Sequence, residues 1–482
     1  MSSLRRAVAL SSVTQYGALL VQIVSTLIIA RLLNPEEIGI FSVGASVVAV
    51  AHTLRDLGVT NYLIQAKAAT ARQIGAALGI TMLAAWSVAA VLFLAAAPAA
   101  NYYREPGVAE VLRVSAISFL LIPFGSIALA MLRRNMNFLA ISHITLSSAL
   151  VHGLTSVGLA HAGFGFMSLA WANLAGTACT VVAAAWLTPK GSRALPTLRG
   201  VREVMAFGSR ASIASLATEV GYSAPDLIIG RMLNLEAVGM FSRAMGFVML
   251  FERAVTDIVN AVALPYFSAE HRAGTDLSSQ YAKAIAIITV TAWPCLGFLG
   301  LMAEPLIGIL YGDQWGGAVL PAQILVVAIG IRCANPITGA IVLARGDVRR
   351  LMITQIALQT AKIGLIVIGA SGGLAMVAYC LIIAELFGAL LFARVIAQHL
   401  TFGATDYLRS TGRSFTVTVA CLGPVIALSS TSGFASLAAP LRVGAALCIA
   451  GAVWLFAIFL VRHPIAGETR RLLGAALRIG RK

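Results

Sequence analysis

The chain has 482 residues, of which 59% are hydrophobic and 11% charged, with a formal net charge of +16 and a mean hydropathy of +0.89. A soluble domain carries about 25% charged residues, so this composition excludes a water-covered globule and turns most of the surface toward lipid. The excess of Lys and Arg reads as topogenic charge on cytoplasmic loops rather than as a nucleic-acid footprint, and no nucleic-acid partner is expected.

A membrane-spanning helix needs about 20 largely apolar residues. Taken in chain order, fourteen stretches qualify: 11–33, 38–62, 74–98, 108–132, 141–162, 165–188, 205–230, 238–264, 283–303, 318–343, 352–372, 374–396, 414–431 and 439–461. The first begins after Arg5 and Arg6 and runs straight into Arg31 and Asn34-Pro35 with no small-residue cleavage site, as an uncleaved first span does. The six cysteines, Cys179, Cys295, Cys333, Cys380, Cys421 and Cys448, are isolated within apolar stretches and form no CxxC pair. They read as small buried residues, not as a metal site or a disulfide frame.

Loop charge orients the map. Basic residues gather at the N-terminus, near 63–73, 133–140, 189–204, 265–283, 344–351 and 397–413, and at the C-terminus. The opposite side holds only Arg31, Arg104, Arg231 and Arg442. This bias persists to the end of the chain, which predicts an even number of spans with both termini on the cytoplasmic side. No loop is long enough for a soluble domain. The 304–317 segment is expected outside and the basic 189–204 loop inside. The tail from His463 reads either as a short basic helix on the inner leaflet or as a solvated stop-transfer segment.

One stretch occurs twice. Residues 27–42, LIIARLLNPEEIGIFS, and residues 227–242, LIIGRMLNLEAVGMFS, are offset by 200 without a gap and identical at ten of sixteen positions. Each copy is an apolar run, an Arg, a polar turn, a Gly and a second apolar run, the junction of a helical hairpin. A repeat displaced by six spans gives parallel lobes, related by a pseudo-twofold along the membrane normal. The expected division is therefore 1–200 for an N-terminal lobe, 201–400 for a C-terminal lobe, and 401–482 for two further helices and a basic tail.

Polar residues within the spans need a reason, because a charge at the bilayer centre costs about 2.5–3.5 kcal/mol on insertion scales. The first span carries Ser12, Gln15, Gln22 and Thr26, and the positions 200 further on are Ser212, Ser215, Tyr222 and Asp226, with Glu219 beside them. Matching polar stripes in both lobes point to a shared aqueous cavity, with interhelical hydrogen bonding as the alternative. Asp226, about one turn from the outer end of its span, is the ion-coupling candidate and is expected to face Gln22. Arg332, Lys362 and Glu385 lie near mid-span. Lys362 and Glu385, on neighbouring helices at similar depth, suit a buried pair as well as a ligand role. Arg332 suits a diphosphate, since a guanidinium binds two oxygens at once and keeps its charge. The alternative for Arg332 is a pair with Glu219 or Glu385. Asn335 shares its helical face, and Pro336 would loosen the helix and free carbonyls. Arg55 with Asp56, and Glu252, Arg253 and Asp257, read as local pairs near the interface. There is no GxxxxGK[ST], HExxH or loop DxD, so no catalytic role, metal or cofactor is expected, and H+ or Na+ is left as the coupling ion.

The residues of the repeat carry a family resemblance. ARLLNPEEIGIFS followed by LRDLGVTNYLIQ, RRNMNF at 133–138, DLIIGRMLNLEAVGMFSRA at 226–244 and LARGDVRRL at 343–351 resemble the signatures of polysaccharide transporters, the Wzx-like oligosaccharide flippases, over nearly the whole chain. The likeness is to the exopolysaccharide branch, of colanic-acid and succinoglycan type. It implies the fold of the multidrug/oligosaccharidyl-lipid/polysaccharide superfamily: an all-α polytopic protein with two six-helix lobes around an alternately opening cavity, plus two C-terminal helices. It further implies a polyprenyl-diphosphate-linked oligosaccharide substrate, moved from the inner to the outer leaflet of a bacterial inner membrane by a monomer serving a polysaccharide polymerase and export machinery. A cation-coupled drug exporter of the same fold is the competing function. A membrane polymerase or glycosyltransferase is disfavoured by the lack of a large outer loop.

Overall fold

The computed structural model of the chain describes residues 2–56, 59, 63–64, 70–188, 195–197, 201–250, 277–335, 337–345, 347–467 and 469, and among them it contains helices and no strand. Ser192, Glu252, Arg253, Asp257, Pro336 and the tail from residue 470 lie outside the described residues.

The first junction shows how the sequence writes the fold. Helix α1 (Ser2–Leu32) ends before Asn34, and α2 (Pro35–Arg55) starts immediately after it. Asn34 Oδ1 accepts from the Glu37 N–H at 2.9 Å, and the Glu37 carboxylate accepts from the Asn34 N–H at 3.0 Å. This reciprocal box satisfies two amides that a helix start otherwise leaves unpaired, and Pro35 needs no partner at the first helical position. The same device at Thr70 and Gln73 opens α3 (Ala71–Tyr103). Then follow α4 (Pro106–Arg134), α5 (Phe138–His161), α6 (Met167–Leu187), α7 (Val201–Met232) and a helical stretch α8 at 235–250. Beyond residue 276 come α9 (Leu277–Leu301), the short α10 (Ala303–Tyr311), a 3-10 segment (Asp313–Ala318), α11 (Val319–Cys333) and α12 (Thr338–Ala344). The chain continues through α13 (Val348–Ala370), α14 (Leu374–His399), α15 (Ala404–Ser429), a single turn and α16 (Ala439–Leu460).

Twelve segments among the described residues are long and apolar enough to cross a membrane, which makes this a multi-pass membrane protein. The other two of the fourteen expected spans fall at α7 and at 238–264. The first is helical, but Ser215, Glu219 and Asp226 keep it more polar than the twelve. The second is helical to residue 250, where the described residues stop. The count of fourteen thus remains an expectation at these two places. The 304–317 segment is helical, formed by α10 and the 3-10 turn. Two expectations are corrected. The tenth span is not continuous over 318–343, because α11 stops at Cys333 and helix resumes only at Thr338. Most of the expected 397–413 loop is the first turns of α15.

By packing, the chain divides into two compact units, Met1–Met240 and Phe241–Lys482. In the first, α1 packs on α5, α3 on α4, α4 and α5 on α6, and α2 on α7. The last contact explains why α7, which the repeat assigns to the second lobe, belongs by packing to the first unit. In lipid no hydrophobic force draws helices together, so close backbone approach at small residues does the work. Gly44 of α2 is such a point, since a Cβ there would lie 2.5 Å from Val111 Cγ1 of α4. In the second unit α9 packs on α11 and α15, α14 on α11 and α13, and α15 on α16. A polar node locks the C-terminal helices down: Ser414 Oγ accepts from Thr289 at 2.8 Å and lies 3.2 Å from His463 Nε2, just past α16. The Ile465 N–H donates to His463 Nδ1, so Nε2 carries the proton of the neutral ring.

Candidate functional site

The repeat motif places Asp226 in α7 directly after Pro225. Proline lacks an N–H, so the Gly221 carbonyl has no helical donor and the helix is loosened where the acid sits. Asp226 Oδ2 accepts from Ser46 of α2 at 2.9 Å, and the Tyr103 hydroxyl of α3 donates to the next carbonyl, Leu227 O, at 3.3 Å. Among the described residues Asp226 makes no ion pair, so its one side-chain partner is a neutral hydroxyl. Ser46 is a neighbour that the sequence reading missed: it stands in α2, outside both polar stripes. Of the residues grouped with Asp226, Gln22 and Tyr222 are exposed and Glu219 is half-buried. The hydroxyl on Asp226 comes from Ser46, not from any residue of the first polar stripe.

The second polar group forms where α11 ends, in the second unit. Arg332, in its last turn, lies 3.6 Å from Glu385 of α14, with side-chain exposures of 23% and 13%. The guanidinium is therefore paired, as the alternative reading held. Lys362 of α13 is buried. Asn335 stands in the break after α11, where its N–H donates to the Arg332 carbonyl at 3.0 Å. Its Oδ1 is buried without a hydrogen-bond partner. The carbonyls near the break are not free, as the reading from Pro336 expected. The Gly330 carbonyl accepts from Trp293 Nε1 at 2.9 Å, and the Ala334 carbonyl accepts from the Tyr407 hydroxyl. These two aromatic donors, on α9 and α15, lie far away in sequence and carry no local signal.

A third feature also escaped the sequence. Arg243 of α8 stacks on Tyr311 and Trp315, its guanidinium carbon 5.9 and 5.5 Å from the ring centroids. Its Nε is buried without a hydrogen-bond partner. A cation held over aromatic faces gains up to about 2 kcal/mol when desolvated. Two other motifs prove to be structural. Arg134 of RRNMNF donates to the Leu63 carbonyl at 2.8 Å, and Asp347 of LARGDVRRL caps α13 by accepting from the Arg350 N–H at 3.1 Å.

The sequence pattern of a family described as "Polysaccharide biosynthesis protein" matches residues 28–320, a stretch that contains the second copy of the repeat and all of the first but Leu27. The teichuronic acid biosynthesis protein TuaB of Bacillus subtilis is 21% identical over 467 residues, covering 92% of this chain and 93% of the relative. The succinoglycan biosynthesis transport protein ExoT of Rhizobium meliloti is 26% identical over 327 residues, covering 68% of this chain and 66% of the relative. Among solved structures, the lipid II flippase MurJ in an inward closed conformation superposes with a TM-score of 0.77 at 12% identity, covering 94% of this chain and 99% of that one. At that identity the likeness speaks for the fold alone.

Proposed function

We propose that this chain, which belongs to the polysaccharide biosynthesis protein family, moves a polyprenyl-diphosphate-linked oligosaccharide from the cytoplasmic to the outer leaflet of a bacterial inner membrane by alternating access. The observation that carries this reading is the family match over 28–320, which takes in both hairpin copies but for Leu27 and the whole first unit after that residue. The names of the two relatives, a teichuronic acid and a succinoglycan protein, support a polymer precursor as cargo. The group at Arg332, Lys362 and Asn335 is offered as the diphosphate-binding element. Coupling to H+ or Na+ through Asp226, service to a polymerase, a monomeric state, the division at 200 and 400, and cytoplasmic termini all belong to the same proposal.

Removing the gene from its host should abolish surface polymer and leave lipid-linked repeat units on the inner leaflet, and the intact chain should restore export. Undiminished polymer with reduced drug tolerance would instead make the chain a drug exporter. Orientation is tested by cysteines placed at Ser192 and Gln314, which should label from opposite faces; labelling from one face would break the map. The diphosphate role is separable from the ion pair. Arg332→Gln leaves Glu385 unpaired and should cost about 1–3 kcal/mol, less than a fully buried pair would. Arg332→Gln with Glu385→Gln should recover folded protein but not transport. Full recovery of transport in that double variant would reduce Arg332 to a structural residue.

A further inference from the structure

The two copies of the repeated hairpin meet each other. Gly39 and Gly239 occupy the same place in the repeat, and each is pressed against the other copy. A Cβ on Gly39 would land on the Leu235 carbonyl, 2.6 Å from its carbon and 3.2 Å from the Gly239 nitrogen. A Cβ on Gly239 would land on the Pro35 carbonyl, 2.8 Å from its carbon and 3.2 Å from the Pro35 Cα. Position 235 is 35 advanced by the repeat offset, so the two contacts are one contact seen from both sides. Only glycine permits such an approach, because each Cα lies directly over a carbonyl that is already hydrogen-bonded within the other helix.

Burial around the crossing is as reciprocal as the contact. Ile29, Ala30, Ile38 and Ile40 are buried in one copy, and Ile229, Gly230, Val238 and Met240 in the other. One turn past Gly39, Val43 is fully enclosed, and a Cβ on Gly230 would lie 2.9 Å from its Cγ2. At the two glycines the contact is backbone against backbone, with each Cα set over a carbonyl of the other copy.

We propose that Gly39 and Gly239 form the seam that closes the outer face of the transporter, and that separation of the two hairpins at this point admits the outer side first to the enclosed Val43 and then to the polar residues beneath it, Ser46 and Asp226. The proposal rests on the alternating-access reading and on the cytoplasmic placement of the N-terminus. It assigns the glycines a role in setting which face is open, not in contacting cargo.

The test uses the full chain in sealed vesicles of both orientations, with Val43→Cys as reporter and a membrane-impermeant maleimide as probe. Gly39→Ala or Gly239→Ala should raise labelling of Val43→Cys from the outer face about tenfold or more, since an open state of this kind is otherwise a minor population. Combining the two alanines should add little, because both wedge the same seam. Unchanged labelling in folded single variants overturns the proposal. A rise seen only from the inner face keeps the seam and overturns the orientation, so the two failures are distinguishable. Should the alanine variants not fold, the exposed pair Glu36→Cys and Glu236→Cys decides the matter. Bridging them with a short bis-maleimide should suppress the residual labelling of Val43→Cys, and labelling that survives the bridge overturns the seam.

Discussion

The two copies of the hairpin have kept their backbone duties and exchanged their side-chain duties. Both start the second helix with an asparagine cap, Asn34 on Glu37 and Asn234 on Ala237, with bonds of 2.9 and 2.7 Å. Both bring a glycine to the crossing. Charge changes at one position inside the repeat, Glu37 against Ala237, and at the two positions that flank it, Thr26 against Asp226 and Val43 against Arg243. The shared glycines mark close packing, and the changes of charge mark what each half does separately. Exchanging the divergent residues one at a time is the way to break that statement.

The largest effect is expected from Val43→Arg. Val43 is wholly enclosed, whereas Arg243 lies over two aromatic rings. A cation forced into the first copy should cost at least about 3 kcal/mol and leave little folded protein. Normal yield would mean that the first copy holds an unused cation site. The reverse exchange, Arg243→Val, gives up the stacking and should cost about 1–2 kcal/mol, read as a lower midpoint of thermal unfolding.

Next is the acid. Asp226→Thr makes the second copy like the first while keeping a group that can bond to Ser46. It should cost about 1 kcal/mol in stability and abolish transport; retained transport would end the coupling role. Thr26→Asp should not rescue it, because Ser46 is the partner of position 226. Acid titrations of transport need a control outside the repeat. His463 is buried beside Ser414, and burial, aided by the Arg413 charge, lowers its pKa from 6.5 to about 4. A base whose folded pKa is depressed contributes stability that is complete above the unfolded pKa and is lost as pH falls from about 6.5 to about 4. The loss should reach about 1–3 kcal/mol. His463→Gln should flatten that fall without altering any pH dependence that belongs to Asp226.

These exchanges also measure what the sequence could tell. Apolar length and loop charge placed most helices, because the bilayer imposes both on the chain directly. The cap at Asn34 was legible in Asn-Pro-Glu-Glu, where each residue has a local duty. The glycines were visible as repeat identities, but nothing local says that Gly39 faces Leu235, 196 positions on. Arg332 posed the same difficulty. Glu219 and Glu385 were equal candidates until helix packing brought α14 against α11. Trp293 and Tyr407, which hold the broken end of α11, were indistinguishable from ordinary apolar-span aromatics.

The smallest effect lies in the cap itself. Only the first copy has the return bond, from the Asn34 N–H to Glu37 at 3.0 Å. Ala237→Glu supplies the missing half to the second copy and should stabilise it by a few tenths of a kcal/mol, the lower end of capping contributions. Glu37→Ala should cost more than that gain, about 0.5–1 kcal/mol, because the Glu37 carboxylate does two things. Besides taking the Asn34 amide, it packs over Gly165, which turns between α5 and α6 at a φ of +53° and leaves no room there for a Cβ. Amide hydrogen exchange reads the difference at one site. In Glu37→Ala the Asn34 amide should lose protection while the Glu37-position amide, still bonded to the Asn34 side chain, keeps it. Equal loss at both amides would mean that the turn opens as a unit, and the two copies would then differ in the whole junction rather than in a single bond.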